Sequence, residues 1–130
     1  MAGESKRKMI LLIDDEAVGS ALYEIVFPYR FTVATSGLRG LEVLAREKNE
    51  IDLVLLDYRM PELTGLEVLP MVKQLCPEIP VLMFTSDPGI REAAFKLGAD
   101  GFLDKTQDPE EIMNALDTFF VLGIRNRHVR

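Results

Sequence analysis

The chain has 130 residues, a formal charge of −6 and 48% hydrophobic residues, enough to bury the core of one domain. No apolar run approaches the ~20 residues of a membrane span, and the single Cys76 has no partner for an internal disulfide, so the reading is a cytoplasmic protein with no membrane partner. Charge is uneven: Lys6, Arg7 and Lys8 lie at the front and Arg125, Arg127 and Arg130 at the back, while the chain between them holds nine basic against twenty acidic residues, which argues against direct nucleic-acid binding.

The first apolar run, "MILLI" (9–13), follows the basic patch and ends on two aspartates. It is too short for a signal-peptide core of about 7–15 residues and reads as a strand. Residues 1–8 then read as a flexible basic segment, 9–122 as the domain, and 123–130 as a basic tail. "EAVGSALYEIVF" follows with helical spacing at Ala17, Ala21 and Ile25 and at Val18 and Leu22. "FTVA" (31–34) is a second strand. "SGLRGLEVLAREK" is helical through Leu38, Leu41, Leu44 and Ala45. "DLVLL" (52–56) is a third strand.

"TGLEVLPMVKQL" opens on a capping box of Thr64 and Glu67, and Pro70 inside it predicts a kink or a turn. "VLMFT" (81–85) is the fourth strand. "DPGIREAAFKLG" offers Asp87 as cap, Pro88 at the first helical position and Gly98 as the stop. "GFLD" (101–104) is the fifth strand. "DPEEIMNALDTFFVLG" repeats the capping device with Asp108, Pro109 and Glu111. Its end, "FFVLGI" (119–124), is more apolar than one helix face requires, which fits either scattered surface or an interface such as a dimer through the last helix.

Strand and helix alternating five times predicts one doubly wound α/β domain, a five-stranded parallel sheet with helices on both faces. The unbroken apolar strands suit a sheet buried on both sides. Ligands of such sheets bind beyond the carboxyl ends of the strands. Asp14, Asp15 and Glu16 follow the first strand, Asp57 the third, Thr85 and Ser86 close the fourth, and Lys105 follows the fifth. Each alone is an ordinary turn, cap or surface residue; their recurrence at matching strand ends is what points to a site.

Clustered carboxylates repel unless neutralised. A hard divalent cation and the Lys105 ammonium are the available remedies, and together they would leave Asp57 ionised as a nucleophile toward phosphorus. Thr85 would offer a hydroxyl to a phosphoryl oxygen.

The motifs "LLIDDE", "DLVLLDYRMPELTG", "VLMFTS" and "KLGADGFLDK", in this order and spacing, closely resemble the receiver domain of two-component response regulators from about Met9 to Phe120. The resemblance implies a flavodoxin-like strand order 2-1-3-4-5 and phosphorylation of Asp57. It implies Mg2+ (or Mn2+) held by Asp14, Asp15, Asp57 and the backbone carbonyl of Arg59. Lys105 would contact the phosphoryl group, Thr85 would be the switch hydroxyl and Phe102 the switch aromatic. Arg59 and Asp87 stand at positions that vary in the family; their opposite charges suggest an ion pair flanking the approach of water, which would tune the phosphoryl lifetime.

The implied partners are a sensor histidine kinase or phosphotransfer protein and an output domain or partner protein. The implied chemistry is the chain's own phosphotransfer and autodephosphorylation, without turnover of a free substrate. Family members usually carry Pro after the Lys with a cis bond between them; here Thr106 follows, and a cis non-proline bond costs about 2.5–4 kcal/mol.

Three other readings compete. A phosphatase of the haloacid-dehalogenase type needs a second Asp where Arg59 stands. A flavin or nucleotide binder needs a phosphate loop where "DDE" stands. A degenerate receiver used only for docking would not need the full set of site residues.

Overall fold

The computed structural model describes residues 7–16, 23, 24 and 26–122. Its strands are β1 (Met9–Ile13), β2 (Arg30–Ala34), β3 (Leu53–Leu56), β4 (Val81–Thr85) and β5 (Gly101–Asp104). Its helices are α1 (Gly37–Glu47), α2 (Gly65–Leu75), α3 (Arg91–Lys96) and α4 (Pro109–Leu122). Every strand pairing is parallel, and the order is β2-β1-β3-β4-β5, as expected. Of the helix expected after β1, Tyr23, Glu24 and Val26 are helical; residues 17–22 and 25 lie outside the described residues, as do 1–6 and 123–130.

Successive strand side chains point to opposite faces, and here both faces are covered. Leu11, Ile13, Val54, Leu56, Val81 and Met83 pack with Leu44 of α1, Val68 and Val72 of α2 and Ala94 of α3. Ile10, Leu12, Leu53, Leu55, Leu82 and Phe84 pack on the other face with Ile112, Leu116 and Phe119 of α4. That two-sided burial is why the strands read as unbroken apolar runs. Among the described residues, no helix is long and apolar enough to cross a membrane.

Local chemistry sets the helix ends. The Ser36 hydroxyl accepts the Arg39 N–H at 3.1 Å and starts α1. The Glu67 carboxylate accepts the Thr64 N–H at 2.8 Å at the start of α2, and Glu111 does the same for Asp108 at 3.3 Å before α4. Asp87 accepts the Gly89 N–H at 3.2 Å, which closes a 3-10 turn over Pro88–Ile90 before α3 begins. Gly98, at φ 106°, adopts the left-handed conformation that stops α3.

Pro70 corrects an expectation. It marks no turn: α2 runs through it from Gly65 to Leu75. Pro70 is exposed, and the buried Val68, Leu69 and Val72 hold the helix to the sheet.

Side-chain ties brace the layers. Lys73 of α2 reaches Asp100 at 2.8 Å, and the same carboxylate oxygen accepts the Val81 N–H at 2.9 Å. The Tyr29 hydroxyl donates to Asp117 and joins the start of β2 to α4. On the outer end of α4, Val121 and Leu122 are largely exposed.

Candidate functional site

The parallel ladder continues one residue past three strand ends, and this places the chemistry. The Asp14 N–H donates to the Ala34 carbonyl at 3.0 Å, Asp57 N–H to Ile13 at 2.9 Å, and Lys105 N–H to Thr85 at 3.1 Å. Each backbone is therefore tethered to a neighbouring strand, and the Asp14, Asp57 and Lys105 side chains converge at the carboxyl edge, as the topology predicts.

Asp14 and Asp57 are buried, and Asp15 is exposed at the rim. Each of the three offers a carboxylate oxygen, and these oxygens lie within 4.8 Å of one another. The Lys105 ammonium donates to Asp14 Oδ2 at 2.5 Å and to Asp57 Oδ2 at 3.1 Å. Sequence reasoning gave Lys105 to Asp57 alone. The two-way contact follows from the adjacency of β1 and β3, which sets both carboxylates within reach of one ammonium. Asp14 Oδ1 accepts the Glu16 N–H at 2.9 Å, and Asp57 Oδ1 accepts the Tyr58 N–H at 2.8 Å.

Burial raises the Asp57 pKa above the ordinary carboxylate value, and Asp14 adds to that rise against the opposing pull of Lys105 and the Tyr58 N–H. For Lys105, burial works against the charge, but the two carboxylates outweigh it and hold the ammonium above its ordinary value. Of the three clustered carboxylates, Asp14 and Asp57 share the Lys105 ammonium, and no hydrogen bond from it to Asp15 is seen among the described residues. An all-oxygen donor set with surplus negative charge fits a hard divalent cation such as Mg2+.

The sign of the Asp57 shift gives a first prediction. A carboxyl whose pKa is higher folded than unfolded lends stability below its unfolded value, near 3.8, and loses that contribution as pH rises through its folded value. At pH 7 in chelator, Asp57→Asn removes this burden and should raise the Tm. At pH 3 the gain should vanish. Melting curves at the two pH values check it; a variant melting below wild type at pH 7 contradicts it.

Thr85 is buried at the end of β4, and its hydroxyl oxygen accepts the Asp87 N–H at 3.3 Å, which leaves the hydroxyl proton free to donate elsewhere. Phe102 is half-buried on β5, with the Arg91 guanidinium 5.4 Å from its ring centre. Arg59 Nη2 pairs with Asp87 Oδ2 at 2.9 Å, so the expected ion pair is present. Among the described residues no peptide bond is cis, so Lys105–Thr106 is trans.

Gly65 escaped the sequence reading. A Cβ there would lie 2.1 Å from the Asp57 carbonyl oxygen, so the start of α2 presses directly on the backbone that carries Asp57. The Gly65 N–H also donates to the Tyr58 carbonyl at 2.8 Å. The available signal was a glycine directly after the cap Thr64. Between Asp57 and α2 the loop forms a cleft of about 380 Å³, lined by Asp15, Tyr58, Arg59, Met60, Pro61 and Thr64.

Comparisons with known proteins agree with one another. The family model for the response regulator receiver domain matches residues 10–117. A two-component response regulator of Oryza sativa subsp. indica, ORR3, is 34% identical over 110 residues, covering 79% of this chain and 83% of that protein. The transcriptional regulatory protein ZraR of Klebsiella oxytoca is 37% identical over 112 residues, 82% of this chain and 25% of its own. A receiver domain protein of Clostridium thermocellum superposes with a TM-score of 0.78 at 28% identity, covering 89% of this chain and 96% of that one.

Proposed function

The chain belongs to the response regulator receiver domain family of two-component systems, and from that premise we propose that Asp57 takes a phosphoryl group from a phosphohistidine and that this modification switches the domain. One observation carries the reading: a buried carboxylate held at a strand end between a second buried carboxylate and a lysine ammonium. A structural role for such a group is poor economy, because burying charge is costly without function or full pairing.

Asp14, Asp15 and Asp57, with the Arg59 carbonyl, would hold Mg2+. When bound, the ion would supply counter-charge to the phosphoryl oxygens and the carboxylates. An Asp57 carboxylate oxygen would form the new O–P bond as the N–P bond of the donor breaks, its electron pair leaving on the imidazole nitrogen. Lys105 would contact the transferred phosphoryl oxygens as a point charge. The Tyr58 N–H at Asp57 Oδ1 and the Lys105 ammonium at Oδ2 hold the carboxylate's orientation before transfer.

The new group adds a charge of about −1.5 to −2. The Thr85 hydroxyl, with its proton uncommitted, would turn to it, and Phe102 would follow as the switch aromatic. The donor would be a sensor histidine kinase or phosphotransfer protein, and the reader an output domain or a separate partner. A docking module that is never phosphorylated is not favoured, since none of the charged groups such chemistry needs is missing.

The test is an incubation with acetyl phosphate, with Mg2+ or with chelator, followed by intact-mass measurement. The expected result is an added phosphoryl mass only with Mg2+ and only in protein that keeps Asp57. An adduct that persists in Asp57→Ala would sink the assignment.

A further inference from the structure

Resting on that reading of Asp57, we infer that the Arg59 side chain is the sensor that carries phosphorylation to the start of α3, by leaving Asp87 for the phosphoryl group.

Asp87 is tied three ways. Its Oδ2 accepts from Arg59 Nη2 at 2.9 Å, its Oδ1 accepts the Gly89 N–H at 3.2 Å, and its own N–H donates to Thr85 Oγ1 at 3.3 Å. The Gly89 contact closes the Pro88–Ile90 turn that runs without a break into α3. One carboxylate therefore holds both the entry to a helix and a residue two positions after the phosphoacceptor.

Arg59 is loosely held at its end of the pair. Its side chain is 78% exposed, against 25% for Asp87. A single nitrogen engages Asp87, so the bidentate capacity of the guanidinium is unused. Among the described residues it otherwise lies against the Tyr58 ring, 5.8 Å from the guanidinium carbon.

Arg59 also shares a cleft with Asp15, whose carboxylate belongs to the same cluster as Asp57. A phosphoryl group on Asp57 would bring up to three acceptor oxygens and about twice the charge of one carboxylate to that cleft. A planar guanidinium matches such a group with two parallel hydrogen bonds. The exposed, one-nitrogen contact with Asp87 is the weaker competitor. Once Arg59 turns, Asp87 loses its counter-charge, and the Pro88–Ile90 turn loses its tether to the phosphoacceptor loop. Arg91, whose guanidinium lies 5.2 Å from the Phe95 ring and 5.4 Å from the Phe102 ring, begins α3 directly after that turn, so a loosened turn frees the cover over Phe102.

Hydrogen exchange of the peptide containing Gly89 and Arg91 tests this, with phosphoryl occupancy read by intact mass in the same samples treated with acetyl phosphate and Mg2+. In wild type, phosphorylation should speed exchange there by roughly two- to five-fold, the range open to an exposed ion pair. Arg59→Gln should exchange at the faster rate in both states, because its Asp87 is never tethered. Arg59→Lys keeps the charge and should restore much of the dependence on phosphorylation.

Wild-type protein that is fully phosphorylated without faster exchange overturns the inference. So does an Arg59→Gln variant that starts slow and speeds up like wild type, since the signal would then travel by another route. Failure of wild type to acquire phosphate overturns the reading of Asp57, and this inference with it.

Discussion

Lys105→Ala is expected to slow phosphoryl uptake on Asp57 by about 10²–10³-fold, the usual cost of losing one preorganised charge at developing phosphoryl oxygens. The same change is expected to tighten Mg2+ binding. The reason lies in the two contacts of the ammonium, 2.5 Å to Asp14 Oδ2 and 3.1 Å to Asp57 Oδ2. A cation approaching those oxygens competes with Lys105 for them. Without Lys105, three carboxylates face it with no bound ammonium, and their repulsion gives the ion more to relieve. Chelator should correspondingly destabilise the variant more than wild type, because two buried carboxylates would then lack their paired charge. Calorimetric titration with Mg2+ and acetyl phosphate uptake followed by intact mass check both halves. Weaker metal binding in the variant would mean that Lys105 supports the ion and does not compete with it.

Gly65→Ala should cost about 2–3 kcal/mol, the scale of forcing a methyl into a packed site. The added Cβ would meet the Asp57 carbonyl oxygen at 2.1 Å and the Asp57 carbonyl carbon and Tyr58 Cα at 3.0 Å. All three are backbone atoms, so no rotamer change relieves the clash. Relief requires α2 to move away from β3 or the loop after Asp57 to shift. Either motion disturbs the Tyr58 N–H that orients the Asp57 carboxylate at 2.8 Å. The Tm should fall by roughly 10 °C, and Mg2+ affinity should weaken even in the fraction that remains folded. Gly89→Ala is the control: its Cβ would meet only Asp87 Oδ1, at 3.4 Å, and stability should change little. Equal losses in the two variants would show that the close approach to the Asp57 backbone does not set the cost.

The alternation of apolar strands with capped helices was legible in the chain itself, because backbone periodicity and capping are local chemistry. "MILLI", "VLMFT" and "GFLD" coincide with β1, β4 and β5, and Asp108 with Pro109 marks the start of α4. Right-handed crossovers then leave few topologies, so the placing of Asp14, Asp57 and Lys105 at one sheet edge also followed from order alone. The motifs added the strand order and the family. Of the kink or turn expected at Pro70, the turn is absent, because whether α2 can continue through it depends on which face meets solvent, and only packing decides that.

The rest was decided in three dimensions. That Lys105 bridges Asp14 as well as Asp57 depends on the reach of one side chain between two adjacent strands. That Gly65 must lack a side chain depends on how closely a helix start approaches a carbonyl eight residues earlier. The Arg59–Asp87 pair was expected from opposite charges at neighbouring strand ends, but its one-nitrogen, unequally exposed geometry is set by how the loops beyond β3 and β4 pack. Local propensity sets what each segment is. Which charges face one another is set by the packing of segments distant in sequence, and the charge constellation around Asp57 is a product of that packing.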